Sequence, residues 1–271
     1  MKIWRYSIPF EQSPNPRTPA GEIEGALVWC ADGVGCIQPW PSLGDAPLEE
    51  HLAAMRAGAP TEMGRACLRC CEIDGAARRG ERSLFEGLSL PPSHVLVLSG
   101  SADELRAARA VGVAKVKGDA EFDIDPSVEL RIDFNGALDE VSFLKWADRL
   151  GDAKRRQIEF VEDPVPYDAE IWERLSRRTG IPLALDRGPA DAARGFSVRV
   201  WKPACVADPP TGERFCITHN MDHEIGRRYA AYRAAAFDGE LVACGLGEFE
   251  QLGGTGLGYD DQLEKLEWEQ I

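Results

Sequence analysis

Three short apolar runs, each ending in a carboxylate, constrain this 271-residue chain more than any other feature. Gln157-Ile158-Glu159-Phe160-Val161-Glu162-Asp163-Pro164 reads as a buried strand. Phe160 and Val161 give it strand propensity, and Pro164 cannot donate to a continuing ladder, so Glu162 and Asp163 stand at its C-terminal lip. Glu129 to Asn135 repeats the pattern around Asp133, and Ile181 to Asp186 repeats it with Asp186. The steps of 29 residues from Asp133 to Glu162 and 24 from Glu162 to Asp186 suit one strand-helix module each. Successive parallel strands would then carry three carboxylates to one rim, at the strand ends where α/β folds put chemistry. Three carboxylates converging on one point repel unless a hard cation lies between them, and carboxylate with water is the ligand set that suits Mg²⁺.

The texture on either side agrees with a barrel. From His94 onward short apolar strands alternate with charged helices, the pattern of repeated βα units. Strands are expected at Val95 to Leu98, Ala114 to Lys117, Glu129 to Phe134, Gln157 to Val161, Leu183 to Asp186, Ser197 to Lys202, Arg214 to Thr218 and Glu240 to Cys244. Helices are expected at Ala102 to Ala110, Leu138 to Leu150, Asp168 to Arg178 and Ile225 to Phe237. Eight parallel strands close most economically as a barrel, so the expected fold class is α/β, a modified TIM-type (β/α)7β barrel. Only 11 residues separate Lys117 from Glu129 and 11 separate Lys202 from Arg214, so some helices of the ring should be shortened. Residues 91–246 are read as this barrel. Residues 1–90 are read as a small α+β capping domain, with a strand over 2–10, a loop from Gln12 to Pro19, and a hairpin of Glu22 to Trp29 with Gly35 to Gln38. The mobile-looking loop Trp40 to Asp45, a candidate lid, and helices at Leu48 to Ala57 and Glu62 to Arg79 complete it. The tail, about 247–271, ends in an amphipathic run over Tyr259 to Trp268 that should pack back on the cap.

Composition narrows the partners. A formal charge of −14 argues against a nucleic-acid backbone or an anionic membrane surface, while a bound divalent ion would still admit a small anionic substrate. No apolar run approaches the roughly 20 residues that span a bilayer, and Met1 to Tyr6 lacks a signal-peptide core, so a cytoplasmic location is expected. The cysteines Cys67, Cys70 and Cys71 fall at helical spacing without a second CxxC, which reads as small buried helix residues and not as a zinc site.

Two lysine-bearing strand ends flank the acids. Lys115 and Lys117 are two apart and share a strand face, and Lys202 ends the strand after Asp186. The order Lys, Asp, Glu, Asp, Lys puts an amine on each side of a metal. That constellation suits abstraction of a proton next to a carboxylate, with the metal stabilising the enediolate and a desolvated lysine taking the proton. Asn135 and Asp163, on turn positions beside the acids, read as support behind them.

The run Lys115-x-Lys117, Asp133-x-Asn135, Glu162-Asp163-Pro164, Leu185-Asp186 and Lys202-Pro203 resembles the enolase superfamily, muconate-lactonizing subgroup. Gly33 to Pro39 in the cap is similar to that family's glycine-rich loop before a proline. Within the subgroup, the short length and simple Lys-Pro strand end most resemble the o-succinylbenzoate synthases. The resemblance implies Mg²⁺, with Mn²⁺ as a substitute, held by Asp133, Glu162 and Asp186. It implies Lys117 as the base, Lys202 as a cation over the enediolate, and Lys115 easing deprotonation of Lys117 by like-charge repulsion. The implied activity is dehydration of a cyclohexadiene carboxylate to o-succinylbenzoate in menaquinone synthesis. A racemase, epimerase or cycloisomerase using the same step stays open, as does a degenerate binding protein that lost turnover. Arg187 departs from a glutamate common in the family and should alter the surroundings of Asp186. Thr218, His219, Asn220 and Asp222 stand where small serines usually line the substrate site and are candidate substrate contacts. Oligomeric state is not legible in the sequence.

Overall fold

The computed structural model describes residues 1–11, 13–15, 17–118, 121–192, 194–247 and 253–270. Residues 12 and 16 of the expected Gln12 to Pro19 loop, and 248–252 and 271 of the expected tail, lie outside them. The chain begins with an antiparallel sheet of β1 (Lys2–Phe10), β2 (Gly21–Cys30) and β3 (Gly33–Ile37), followed by helices α1 (Leu48–Arg56) and α2 (Glu62–Arg79). Helix α2 rides directly on β3. A Cβ on Gly33 would stand 2.2 Å from the Cys71 carbonyl oxygen, one on Gly35 2.3 Å from that of Cys67, and one on Gly75 2.0 Å from that of Ala31. Only glycines allow this approach, and the cysteines of α2 fill the remaining space as small apolar groups. All eight cysteines are free, and burial raises the Cys70 and Cys71 thiols well above their ordinary range, so they are neutral filling.

The eight-stranded parallel sheet follows in strict chain order: β4 (Val95–Val97), β5 (Val113–Lys117), β6 (Glu129–Asp133), β7 (Ile158–Glu162), β8 (Leu183–Leu185), β9 (Val198–Trp201), β10 (Arg214–Ile217) and β11 (Glu240–Leu241). Its edges meet where the His94 amide donates to the Cys244 carbonyl at 2.8 Å and the Cys244 amide to the Pro92 carbonyl at 2.7 Å. The sheet thus curls into the expected barrel, although β8 and β11 are shorter than their apolar runs.

Helices α3 (Ala102–Val111), α4 (Glu140–Arg149), α5 (Asp152–Gln157), α6 (Ala169–Thr179) and α7 (Glu224–Ala235) cover the outside. Their starts are written in the sequence: Ser101 and Glu104 form a capping box on α3, and Asp139 and Asp168 cap α4 and α6. No helix lies in the described residues between β5 and β6 or between β9 and β10, as the short connections imply. A third connection, β8 to β9, also lacks one, a feature the sequence reading overlooked. Inward residues Phe160, Ala184, Val198 and Val200 fill the barrel, while Ile132, Val161, Leu183 and Leu185 face the helices.

The tail returns over the cap. The Leu257 amide donates to Asp74 at 2.7 Å, short helix α8 (Asp260–Leu263) follows, and β12 (Glu269–Gln270) pairs antiparallel with β1.

Candidate active site

Parallel register lines up the rim. Lys117 is paired with Asp133 and Asp133 with Glu162, so the three lie side by side on adjacent strands. Because Ile132 and Val161 point outward to the helices, Asp133 and Glu162 point into the barrel mouth, and Lys115 and Lys117 share that face. Asp186 follows β8 and Lys202 follows β9, again on the inward parity. One cavity is bounded by all six of these side chains.

The lysines stand between the acids. Lys115 Nζ lies 2.9 and 2.8 Å from the two Glu162 oxygens and 2.9 Å from Asp133 Oδ2. Lys117 Nζ donates to the same Asp133 oxygen at 2.6 Å and to Asn135 Oδ1 at 3.4 Å, and Lys202 pairs with Asp186 across the cavity. Burial works against charge here, yet Lys115 and Lys117 hold Asp133 far below the usual carboxylate range. Glu162 goes the other way, pushed up to about 7 by burial and by the negative charge of Asp133. Burial opposes the charge on Lys115 as well, but Asp133 and Glu162 raise it.

The support beneath is backbone made. Asp163 adopts φ 40° and Asn135 φ 51°, left-handed conformations that side chains rarely take. Asp163 is held there because its carboxylate accepts from the amides of Asp186 and Arg187, each at 3.0 Å. The turn that reverses the chain after Glu162 thereby fixes the next strand end. Asn135 donates its amide to Asp133 Oδ1 at 2.9 Å.

Other expected residues divide. Thr218, His219 and Asn220 line the cavity, whereas Asp222 does not: it is buried behind it against Gly226, and burial lifts it to about 7. The Asn220 side chain donates to the Gln38 carbonyl at 2.9 Å, which ties this loop to the cap. Arg187 also lines the cavity, where, against burial, its charge helps Lys202 hold Asp186 below its usual range, and its guanidinium donates to Asp45 at 3.0 Å and to the Leu43 carbonyl at 3.4 Å. The loop Trp40 to Asp45, expected to be mobile, is therefore pinned. Trp40 is buried and donates to the Asn220 carbonyl at 3.0 Å, its own amide donates to Asp45 at 2.8 Å, and Pro41–Leu43 forms a 3-10 turn.

His94 is a cavity residue that strand reading missed. Its Nδ1 lies 2.9 Å from Arg131 Nη1, which can only donate, and burial followed by the field of Lys115 holds the ring well below its ordinary pKa. The neutral ring therefore carries its proton on Nε2. Asn15 and Leu43 of the cap also line the cavity. A histidine just before a strand and residues some 100 positions away from the rim leave no local signal.

Among the described residues no three His, Cys, Asp or Glu side chains converge closely enough to hold an ion as they stand, since Lys115 and Lys202 occupy the space between the acids. The chemistry of the donor set nonetheless fits a hard divalent cation: three buried carboxylates at adjacent strand ends, no soft ligand among them, and a Glu162 whose ionisation is opposed by Asp133 and Asp186.

Comparison with known proteins agrees with this arrangement. Residues 1–77 match the family model "O-succinylbenzoate synthase, N-terminal domain", and residues 106–194 match "Enolase C-terminal domain-like". An o-succinylbenzoate synthase of Bdellovibrio bacteriovorus is 27% identical over 98% of this chain and 97% of its own length. Two solved structures share the fold. One is the o-succinylbenzoate synthase of Thermosynechococcus elongatus, complexed with Mg in its active site (20% identity, TM-score 0.67, 97% of this chain and 99% of that one). The other is the L-Ala-D/L-Glu epimerase of Bacillus subtilis (15% identity, TM-score 0.66, 88% and 87%).

Proposed function

We propose that the chain is a member of the enolase superfamily and, within it, an o-succinylbenzoate-forming lyase acting on 2-succinyl-6-hydroxy-2,4-cyclohexadiene-1-carboxylate, in menaquinone biosynthesis. The observation that carries the reading is the rim itself, with Lys117 and Lys202 facing one another across Asp133, Glu162 and Asp186 in a single cavity. Asp133, Glu162 and Asp186 would hold Mg²⁺, or Mn²⁺ in its stead. Such an ion supplies positive charge to the substrate carboxylate as the adjacent proton leaves.

The protein's own groups do the rest. Lys117, as free amine, takes the proton α to the carboxylate. Lys202, as ammonium, lies on the opposite side of the ring and stabilises the negative charge that develops. The hydroxyl leaves as water once it accepts the proton from Lys117, so a C–H and a C–O bond break, the ring gains a double bond and nothing is oxidised or reduced. Aromatisation drives the step. Lys115, clamped between Asp133 and Glu162, positions both acids, and Asp163 fixes the Asp186 strand end. Arg187, at the edge of the cavity, is paired with Asp45 of the cap, and the lysines and acids of the rim keep their places beside it.

A second reading rests on Lys202: two lysines on opposite faces also permit removal of a proton from one face and return to the other, as racemases and epimerases require. The deciding experiment follows conversion of the cyclohexadiene carboxylate by ultraviolet absorbance, with Mg²⁺ and with excess chelator. Metal-dependent turnover that vanishes in Lys117→Ala supports the lyase. A folded protein that binds Mg²⁺ without turning over this substrate overturns it, and proton exchange into amino-acid derivatives in ²H₂O then tests the second reading.

A further inference from the structure

Beside the barrel mouth, where no helix joins β8 to β9 or β9 to β10 among the described residues, lies a second cavity of about 470 Å³. Arg199 lines it. On β9 its neighbours Val198 and Val200 point into the barrel, so Arg199 points out, into the space that a barrel helix would otherwise fill. The side chain is nonetheless buried, at 3% exposure, beneath the Gly188-Pro189 turn and over the Phe196 ring. Only Nη2 is used, donating to the carbonyls of Pro189 at 3.1 Å and Gly188 at 3.4 Å. Nε and Nη1 have no partner among the described residues.

A buried guanidinium with two idle donors is costly unless something accepts from it. The acids lining the cavity are not available. Asp45 accepts from Arg187 and from the Trp40 amide, Asp186 pairs with Lys202, and Glu62 is taken by Arg65 and the Ala207 amide. Further donors line the same walls instead: Arg187 Nε is buried without a partner, and so is Nε2 of His51, whose Nδ1 is engaged with Thr61. Three polar side chains from β9, the β8 end and α1 therefore offer buried, unanswered nitrogens to one space.

The geometry points to a second site in this recess that binds a small oxyanion, a phosphate or carboxylate group, between Arg199, Arg187 and His51. It adjoins the rim cavity, with which it shares Asp186, Arg187 and Lys202 as walls, but Arg199 and His51 line this recess alone. Its occupant would share the Arg187 guanidinium that pins Asp45, and so the loop that walls the active site.

The test compares thermal unfolding in sodium phosphate, sodium succinate and sodium chloride at equal ionic strength. Phosphate or succinate should raise the midpoint of the parent by about 3 °C over chloride at concentrations well above Kd, and which of the two does so identifies the class. Arg199→Met should abolish that rise while unfolding in chloride no earlier than the parent, since it removes an unanswered buried charge. Lys117→Met, which alters only the rim, should keep it. Equal midpoints of the parent in all three salts, or a rise that survives Arg199→Met and is lost in Lys117→Met, overturns the proposal. Should Arg199→Met fail to fold, Arg199→Gln, which retains a donor for the Pro189 carbonyl, gives the same comparison.

Discussion

The two flanks of the barrel are built differently. From β4 to β8, helices α3, α4, α5 and α6 back the strands, and their contact is a large apolar core that includes Phe143, Trp146, Trp172 and Leu175. From β8 to β10 the connections are turns and the backing comes from α7, whose Ala230, Ala231 and Ala234 pack on Trp201, Phe215 and Ile217, while the other outward side chain of β9, Arg199, is a charged one beneath the Gly188-Pro189 turn. The rim draws on both: Lys115, Lys117, Asp133 and Glu162 stand on the helix-backed flank, Lys202 on the other, and Asp186 at the join. Groups that must be held to a fraction of an ångström sit on packed, register-locked strands, and the single cation that needs only to supply charge sits on the lightly backed side.

The largest effect that could break this division is at Lys117. On the lyase reading, Lys117→Ala lowers kcat by about 10⁴-fold with an unchanged unfolding midpoint, because general base catalysis is lost and no packing is. A steady-state assay beside a melting curve measures both. A loss below about tenfold would remove Lys117 from the chemistry.

Next comes the helix-backed wall. Trp172 is fully buried on α6, with its ring centroid 5.2 Å from that of Tyr167. Trp172→Ala should cost about 3 to 5 kcal/mol, read as a fall in denaturant midpoint at constant slope. A loss under about 1 kcal/mol would mean that α6 is not the buttress described. Lys202→Ala should have a smaller effect, about tenfold in kcat, the scale of one cation stabilising developing charge. If it instead matched Lys117→Ala, the two lysines would be equal proton-transfer groups and the two-base reading would displace the lyase.

The rim was legible because it is local. An acid at the end of an apolar run, a lysine two residues from another and a proline that stops a strand are adjacent in sequence, and parallel register converts their spacing into proximity. Helix positions were legible for the same reason, although the capping roles of Ser101, Asp139 and Asp168 went unread. What escaped is long-range. Arg187 follows Asp186 directly, yet its guanidinium bonds to Leu43 and Asp45, about 140 positions away, and nothing near it announces that. Asp222 reads like a site acid but turns behind the loop against Gly226, and Asn220 is used by Gln38. The absent helix between β8 and β9 was legible on the same ground as the other two, since only 10 residues separate Asp186 from Ser197, but the shortness of that connection went unused. The partner of a side chain, unlike its secondary structure, is set by the whole topology.

The smallest effect sharpens the contrast most finely. Asp168 caps α6 by accepting from the amides of Glu170 at 3.0 Å and Ile171 at 2.9 Å, and the segment between Asp163 and this cap is all that separates α6 from the Glu162 strand end. Asp168→Ala should cost about 1 kcal/mol of stability and leave kcat unchanged well below the melting temperature, because Asp163 fixes the strand end through the Asp186 and Arg187 amides and not through the helix. A fall in kcat of more than about twofold at full folding would mean that α6 transmits its position to Glu162. The helix-backed flank would then be holding the rim through its helix start as well as through strand register.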